Sequence, residues 1–264
     1  MKVQGKTDQE FEQLAGNPQL WNVHIVLNVL HSLIQKSCIN EQLEAFKRGD
    51  DPEEVAGDYG CKPLYKMLGY FSLAGLLRLH CLLGDYYQAL RVMENIELNK
   101  PGLYSRVPAC QVTIFYYVGF CYLMMGRYQD CVRTYSNVLY YIMRMQQSGH
   151  QKFAGYVVSK KRTQLFNLLA IAITISPQRI DESVQQSLLE ICGDKMSKMQ
   201  KGEIGLFQEL FSYGCPKFVN PTTPDYSKLT EESLNEPFKL QCKIFVAELE
   251  QSLKLPLIRS YLKL

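Results

Sequence analysis

The sequence predicts an all-α protein built from stacked antiparallel helical hairpins, and two observations predict it. One turn-and-helix pattern is written twice, as GDYYQALRVM from Gly84 and GRYQDCVRTY from Gly126, 42 residues apart. No segment alternates apolar and polar residues over the length that a half-buried strand requires. Repeats of this period imply a stack, because a single helical hairpin cannot bury its apolar face alone.

In the second copy Phe115, Val118, Gly119 and Tyr122 fall on the spacing W-x2-L-G-x2-Y, and Cys131 and Tyr135 on A-x3-F. That is the spacing of a tetratricopeptide-type repeat. Gly119 lets the paired helix approach closely, while Phe115, Tyr122 and Tyr135 fill the space around it. The first copy keeps Leu73, Leu76, Ala89 and Pro101 in register. It carries Leu77 and His80 where glycine and an aromatic are expected. Gly84 and Gly126 stand where each first helix must stop in left-handed backbone. Asp85 caps the next helix, with Gln88 three residues on to reach back. Tyr86 and Tyr128 open the second helices and complete the packing set.

Before the repeats, Thr7-x-x-Glu10 is a capping box that starts a short helix. Asn17-Pro18 opens a second helix, with Asn as cap and Pro in the first turn. Its apolar residues Leu20, Val23, Leu27, Leu30 and Ile34 recur at helical steps. Trp21, Ile25, Val26 and Val29 widen the stripe to nearly all sides, so this helix is expected to be buried or docked. Asp51-Pro52-Glu53-Glu54 opens a short turn that Gly57 and Gly60 terminate.

After the repeats, Ser148-Gly149-His150 marks a break. A helix covers Val157 to Ile175, with Leu165, Leu168, Leu169, Ala172 and Ile175 as its core line and Pro177 as a stop. A shorter one runs from Ile180 to Ile191, entered through Asp181 and Glu182. Gly202 and Gly205 punctuate the approach to 206–211, and the proline-bearing stretch from Tyr213 to Tyr226 is irregular. Phe238, Cys242, Phe245, Leu249 and Leu253 then line one face of an amphipathic helix. Pro256 opens a last one, whose Tyr261, Leu262 and Leu264 form an apolar end expected to be an exposed partner patch. The domain organisation is read as N-terminal helices over 1–60, two hairpins over 61–147 and a continuing helical-repeat part over 148–264.

The chain has 264 residues, 47% of them hydrophobic and 21% charged, the composition of a globular protein. A net charge of +3 makes no electrostatic case for a dedicated nucleic-acid binder. The nine cysteines are odd in number and scattered, with no C-x2-C. Cys81, Cys121, Cys131 and Cys242 lie in apolar helical runs, as reduced cysteines do, and the polar N-terminus resembles no signal peptide. Both favour an intracellular setting. The uncharged run from Val107 to Gly126 is long enough to span a bilayer. Its Pro108, Gln111, Thr113 and three tyrosines, and its coincidence with a repeat helix, argue for a buried repeat helix instead.

Signatures of chemistry are missing: there is no H-E-x-x-H, G-x-S-x-G, G-x-G-x-x-G or G-x4-G-K-[ST]. His24 and His31 share a helix face without a third ligand at helical spacing. No catalytic residue, metal or cofactor is therefore expected.

The run LYKMLGYFSLAGLLRLHCLLGDYYQALRVMENIELNK, Leu64 to Lys100, is too particular for a generic repeat. It resembles the family of L subunits of eukaryotic translation initiation factor 3. YSRVPACQVT (Tyr104–Thr113), YYVGFCYLMMGRYQD (Tyr116–Asp130), RIDES (Arg179–Ser183), GDKMSKMQKG (Gly193–Gly202), LFSYGCPKF (Leu210–Phe218) and NPQLWNVHIVLNVLHSL (Asn17–Leu33) match in kind. The likeness weakens over 146–161 and 227–235. It implies the helical-repeat half of a PCI module, the helical-repeat-plus-winged-helix domain of proteasome-lid, signalosome and initiation-factor subunits, with the winged helix absent and the chain truncated at both ends. It also implies a cytoplasmic, non-catalytic scaffold that contacts other subunits of the factor, the K subunit and further PCI subunits, and the small ribosomal subunit indirectly. Nothing in it bears on direct RNA contact. Two other readings use the same architecture. A scaffold of the proteasome-lid or signalosome kind fits the helices but not the 64–100 string. A peptide-groove receptor needs a concave clamp of Lys, Arg and Asn, which the repeats do not show.

Overall fold

A computed structural model describes residues 7–17, 22–96, 103–147, 156–222 and 231–262, and among them every regular element is a helix. The helices pack largely in sequential pairs, as the all-α reading requires. They form two compact units, Met1–Arg106 with Lys217–Leu240, and Val107–Pro216 with Gln241–Leu264.

The first unit starts with α1 (Asp8–Gly16). Its capping box is closed in both directions: Thr7 N donates to Glu10 Oε2 at 3.0 Å, and Glu10 N to Thr7 Oγ1 at 3.4 Å. The second helix does not open at Asn17-Pro18. α2 spans Val23–Ser37 and its cap is Asn22, whose side chain accepts from His24 N at 2.9 Å. Residues 18–21 lie outside those described. α2 is also less covered than its apolar stripe suggested, for Ile25, Val26 and Val29 stay exposed.

A sharp reversal at Cys38, the one non-glycine with positive φ (47°) among the described residues, leads into α3 (Ile39–Arg48). No sequence signal marked α3, because Cys38 makes no side-chain cap. The turn after Asp51 forms as expected, with Glu53 N donating to Asp51 Oδ1 at 2.9 Å. Gly57–Gly60 then make a single helical turn, α4. Gln42, buried, ties these pieces together by donating to Ser37 O at 2.7 Å and to Gly60 O at 3.4 Å.

α5 (Pro63–Leu83) packs on α2 and on α6 (Tyr86–Val92). Gly69 allows the first contact, since a β-carbon there would lie 3.0 Å from Ser37 Cβ at the end of α2. Val219 N donates to Leu82 O at 3.0 Å and anchors the later strand of chain to this unit.

The second unit is organised around α9 (Tyr156–Ile175), whose residues 165–172 are all buried. α9 packs on α7 (Pro108–Met124), α8 (Tyr128–Gln147), α10 (Glu182–Gln200) and α11 (Ile204–Gly214). α10 is longer than the 180–191 expected: Asp181 caps it by accepting from Ser183 N at 3.0 Å, and Gly193 does not interrupt it. Gly202, with φ 93°, makes the real stop. The last helix also differs from expectation. α12 is continuous over Glu231–Leu262, so Pro256 neither ends one helix nor opens another. Its inward face is the expected one, with Cys242, Phe245 and Leu249 buried.

Candidate functional site

The repeat positions lie at the two hairpin turns and in the core of the second hairpin. Gly84 has φ 84° and Asp85 N donates to His80 O at 2.9 Å, which closes α5. Asp85 then accepts from Gln88 N at 3.1 Å, capping α6, and Ala89 is fully buried one turn on. Tyr86 is partly covered. His80 stands where the repeat expects an aromatic. Burial lowers its pKa, Asp85 opposes that shift, His31 adds to it, and Nε2 is buried with no partner.

The second turn repeats the chemistry, with Gly126 at φ 71° and Arg127 N donating to Tyr122 O at 2.9 Å. The Arg127 guanidinium sits 4.5 Å over the Tyr122 ring. A β-carbon at Gly119 would fall 2.7 Å from Cδ1 of Tyr135. Tyr135 is fully buried, as is Cys131, and Phe115 is nearly so. The Tyr135 hydroxyl donates to Tyr116 O at 3.2 Å. Tyr128 reaches α12, with its hydroxyl 3.0 Å from Ser252 Oγ, and burial raises its pKa.

Sequence spacing did not reveal the aromatic column that continues from these residues. The Tyr116 hydroxyl donates to Gly214 O at 2.7 Å, and Lys161 Nζ lies 3.2 Å from the centre of the Tyr116 ring. Phe120 follows, then Phe211 at 5.9 Å, then Phe245 stacked on Phe211 at 4.1 Å. The rings come from α7, α11 and α12, too far apart in the chain for any periodicity to link them. The side chains of Tyr261, Leu262 and Leu264 lie outside the described residues.

These residues build a packed frame. Two of the buried thiols are poor nucleophiles: burial, helped by Asp130, holds Cys131 well above its usual range, and burial pushes Cys215 up to about 12. Among the described residues no three His, Cys, Asp or Glu side chains converge on a metal position, and no helix is long and apolar enough to cross a membrane.

Residues 1–264, the whole chain, match the family described as RNA polymerase I-associated factor PAF67. The chain belongs to that family. It is similar along its full length to curated relatives named eukaryotic translation initiation factor 3 subunit L. It is 55% identical to those of Danio rerio and Homo sapiens and 53% identical to that of Nematostella vectensis. It spans 46%, 47% and 50% of those relatives, about half their length. The family resemblance read from Leu64–Lys100 and the flanking motifs is thereby shown.

Proposed function

We propose that this chain is a non-catalytic scaffold within translation initiation factor 3, supporting assembly of the small-subunit pre-initiation complex and mRNA recruitment in the cytoplasm. The observation that carries the reading is 53–55% identity, sustained over all 264 residues, to relatives bearing that subunit's name. The all-helical build supports it, because paired helices present broad outer faces to partners. Other subunits of the factor are the partners, the K subunit first among them, and the ribosomal subunit is reached through them.

On this reading residues 1–60 are N-terminal helices packed on the array, 61–147 its two hairpins and 148–264 the helical-repeat part of a PCI module. The repeat positions from Gly84 to Tyr135 pack its hairpins, and Tyr261, Leu262 and Leu264 face a partner. A tagged chain expressed in cells and followed by sucrose-gradient sedimentation tests this. Co-migration with small-subunit particles, together with recovery of other subunits of the factor, is expected. Recovery of RNA polymerase I, proteasome-lid or signalosome subunits in their place would overturn it.

A further inference from the structure

Outside the packed frame, α8 and the α9–α10 connection enclose a cleft of about 460 Å³, within the size range of ligand sites, roughly 300–1,000 Å³. Hydrogen-bond donors dominate its wall. Gln129, Arg133, Asn137 and Tyr140 follow one another at helical steps along the exposed face of α8. Gln178 and Arg179 arrive from the connection opposite. The Gln178 Nε2 is buried and has no hydrogen-bond partner. Ser136, 8% exposed, contributes a hydroxyl between the two walls.

The one carboxylate that lines the cleft and the one beside it are already engaged. Asp181 accepts from Ser183 N at the start of α10, and Asp130 is shared between Arg127 at 2.6 Å and Arg133 at 2.5 Å. Arg133 is thereby committed to Asp130, and what remains is the Arg179 guanidinium and a set of amide donors around a concave space, with one amide donor buried and unpartnered. A buried donor left unpaired is costly, which favours an occupant that supplies an acceptor.

We propose that this cleft binds an extended acidic peptide segment, with Arg179 taking a carboxylate and Gln129, Asn137 and Gln178 pairing with its main chain. Charge complementarity selects carboxylates, and the guanidinium fork matches them in two parallel bonds. The amides select a peptide, because each offers both a donor and an acceptor to successive peptide units. Gln129 and Asn137 are two helical turns apart, about 12 Å, a span that roughly three to four extended residues cover. A nucleic-acid strand fits less well. Such sites need a continuous basic track and free aromatic faces, and the Tyr140 ring already carries Arg144 at 5.7 Å. The clamp chemistry that the repeats lack is completed here by Arg179, which lies outside both of them.

The test uses the full chain and fluorescence anisotropy at low salt, with a labelled octapeptide alternating glutamate and alanine. Its lysine–alanine counterpart and an oligouridine of equal length run in parallel. The acidic peptide is expected to bind with a Kd on the order of 10–1,000 μM. Arg179→Glu should weaken it about tenfold, equivalent to about 1.4 kcal/mol. Arg179→Lys, which keeps the charge but loses the fork, should weaken binding less than Arg179→Glu without restoring it fully. Gln178→Leu should weaken it measurably, and Arg48→Glu, far along the chain on α3, should leave it unchanged. Circular dichroism checks that each variant stays folded. No saturable binding of the acidic peptide, or binding indifferent to Arg179→Glu, would overturn the proposal. Tighter binding of oligouridine that Arg179→Glu abolishes would overturn it in favour of a nucleic-acid site.

Discussion

Tyr135 occupies the space that a side chain on Gly119 would need, with its Cδ1 only 2.7 Å from where a β-carbon would sit. The two residues come from facing helices, and Tyr135 is fully buried with its hydroxyl bonded to Tyr116 O. An aromatic ring packed onto helix backbone leaves no slack for a larger residue.

Gly119→Ala is therefore expected to destabilise the chain although alanine is the better helix former. Overpacking costs about 1–3 kcal/mol, against a propensity gain of roughly 1 kcal/mol. Urea unfolding of Gly119→Ala, Tyr135→Leu and the double variant measures the coupling. The double variant should lose clearly less than the sum of the singles; simple additivity would mean that the two do not touch.

Tyr116→Phe removes the hydroxyl that satisfies Gly214 O at the end of α11. Leaving that carbonyl unpaired should cost about 1–3 kcal/mol. Hydrogen exchange gives a sharper readout: amides near the end of α11 should lose protection before those of α7.

Asp85→Ala should cost about 1 kcal/mol, the ordinary worth of a helix cap. Asp85→Asn, which keeps an acceptor oxygen for Gln88 N, should recover most of it. Equal losses from both variants would show that the cap at 3.1 Å is not what stabilises α6.

His80 carries a pH prediction. Burial sets its pKa below the usual histidine value, so the unfolded chain takes up the proton first as pH falls. Its contribution is fully present above the unfolded value near 6.5 and is lost as pH drops through the folded value. His80→Phe restores the aromatic that the repeat pattern expects and removes the unpartnered Nε2. The stability gap between His80→Phe and the parent chain should widen from pH 7.5 to pH 5.5, read from thermal midpoints at the two values. A gap independent of pH would contradict the assignment.

Thiol alkylation orders the cysteines. Cys61 is exposed and should label first, whereas Cys131 and Cys215, buried with raised pKa values, should resist until the chain unfolds. A higher pKa leaves less thiolate at any given pH, and thiolate is the reacting form. Mass spectrometry after timed iodoacetamide treatment reads this directly. Rapid modification of Cys131 in the native chain would reveal an opening of the α7–α8 core.

The sequence by itself determined the helical class, the two turns at Gly84 and Gly126, the caps at Thr7 and Asp85, and the inward face of α12. Each is a local matter: a left-handed residue, an acceptor side chain at a helix start, or an apolar period of 3.6 residues, all written within a few positions. It missed α3 because Cys38 turns the chain without a recognisable cap, and it misplaced the start of α2 because Asn17-Pro18 and Asn22 carry competing signals. Only the tertiary structure decided that α12 runs on through Pro256, that Ile25, Val26 and Val29 stay uncovered, and that Tyr116, Phe120, Phe211 and Phe245 form one column. It alone brought Arg179 opposite Arg133 and Asn137 around one cleft. Those contacts join residues tens of positions apart, and burial depends on which faces meet, a property of the packed chain that no local spacing encodes.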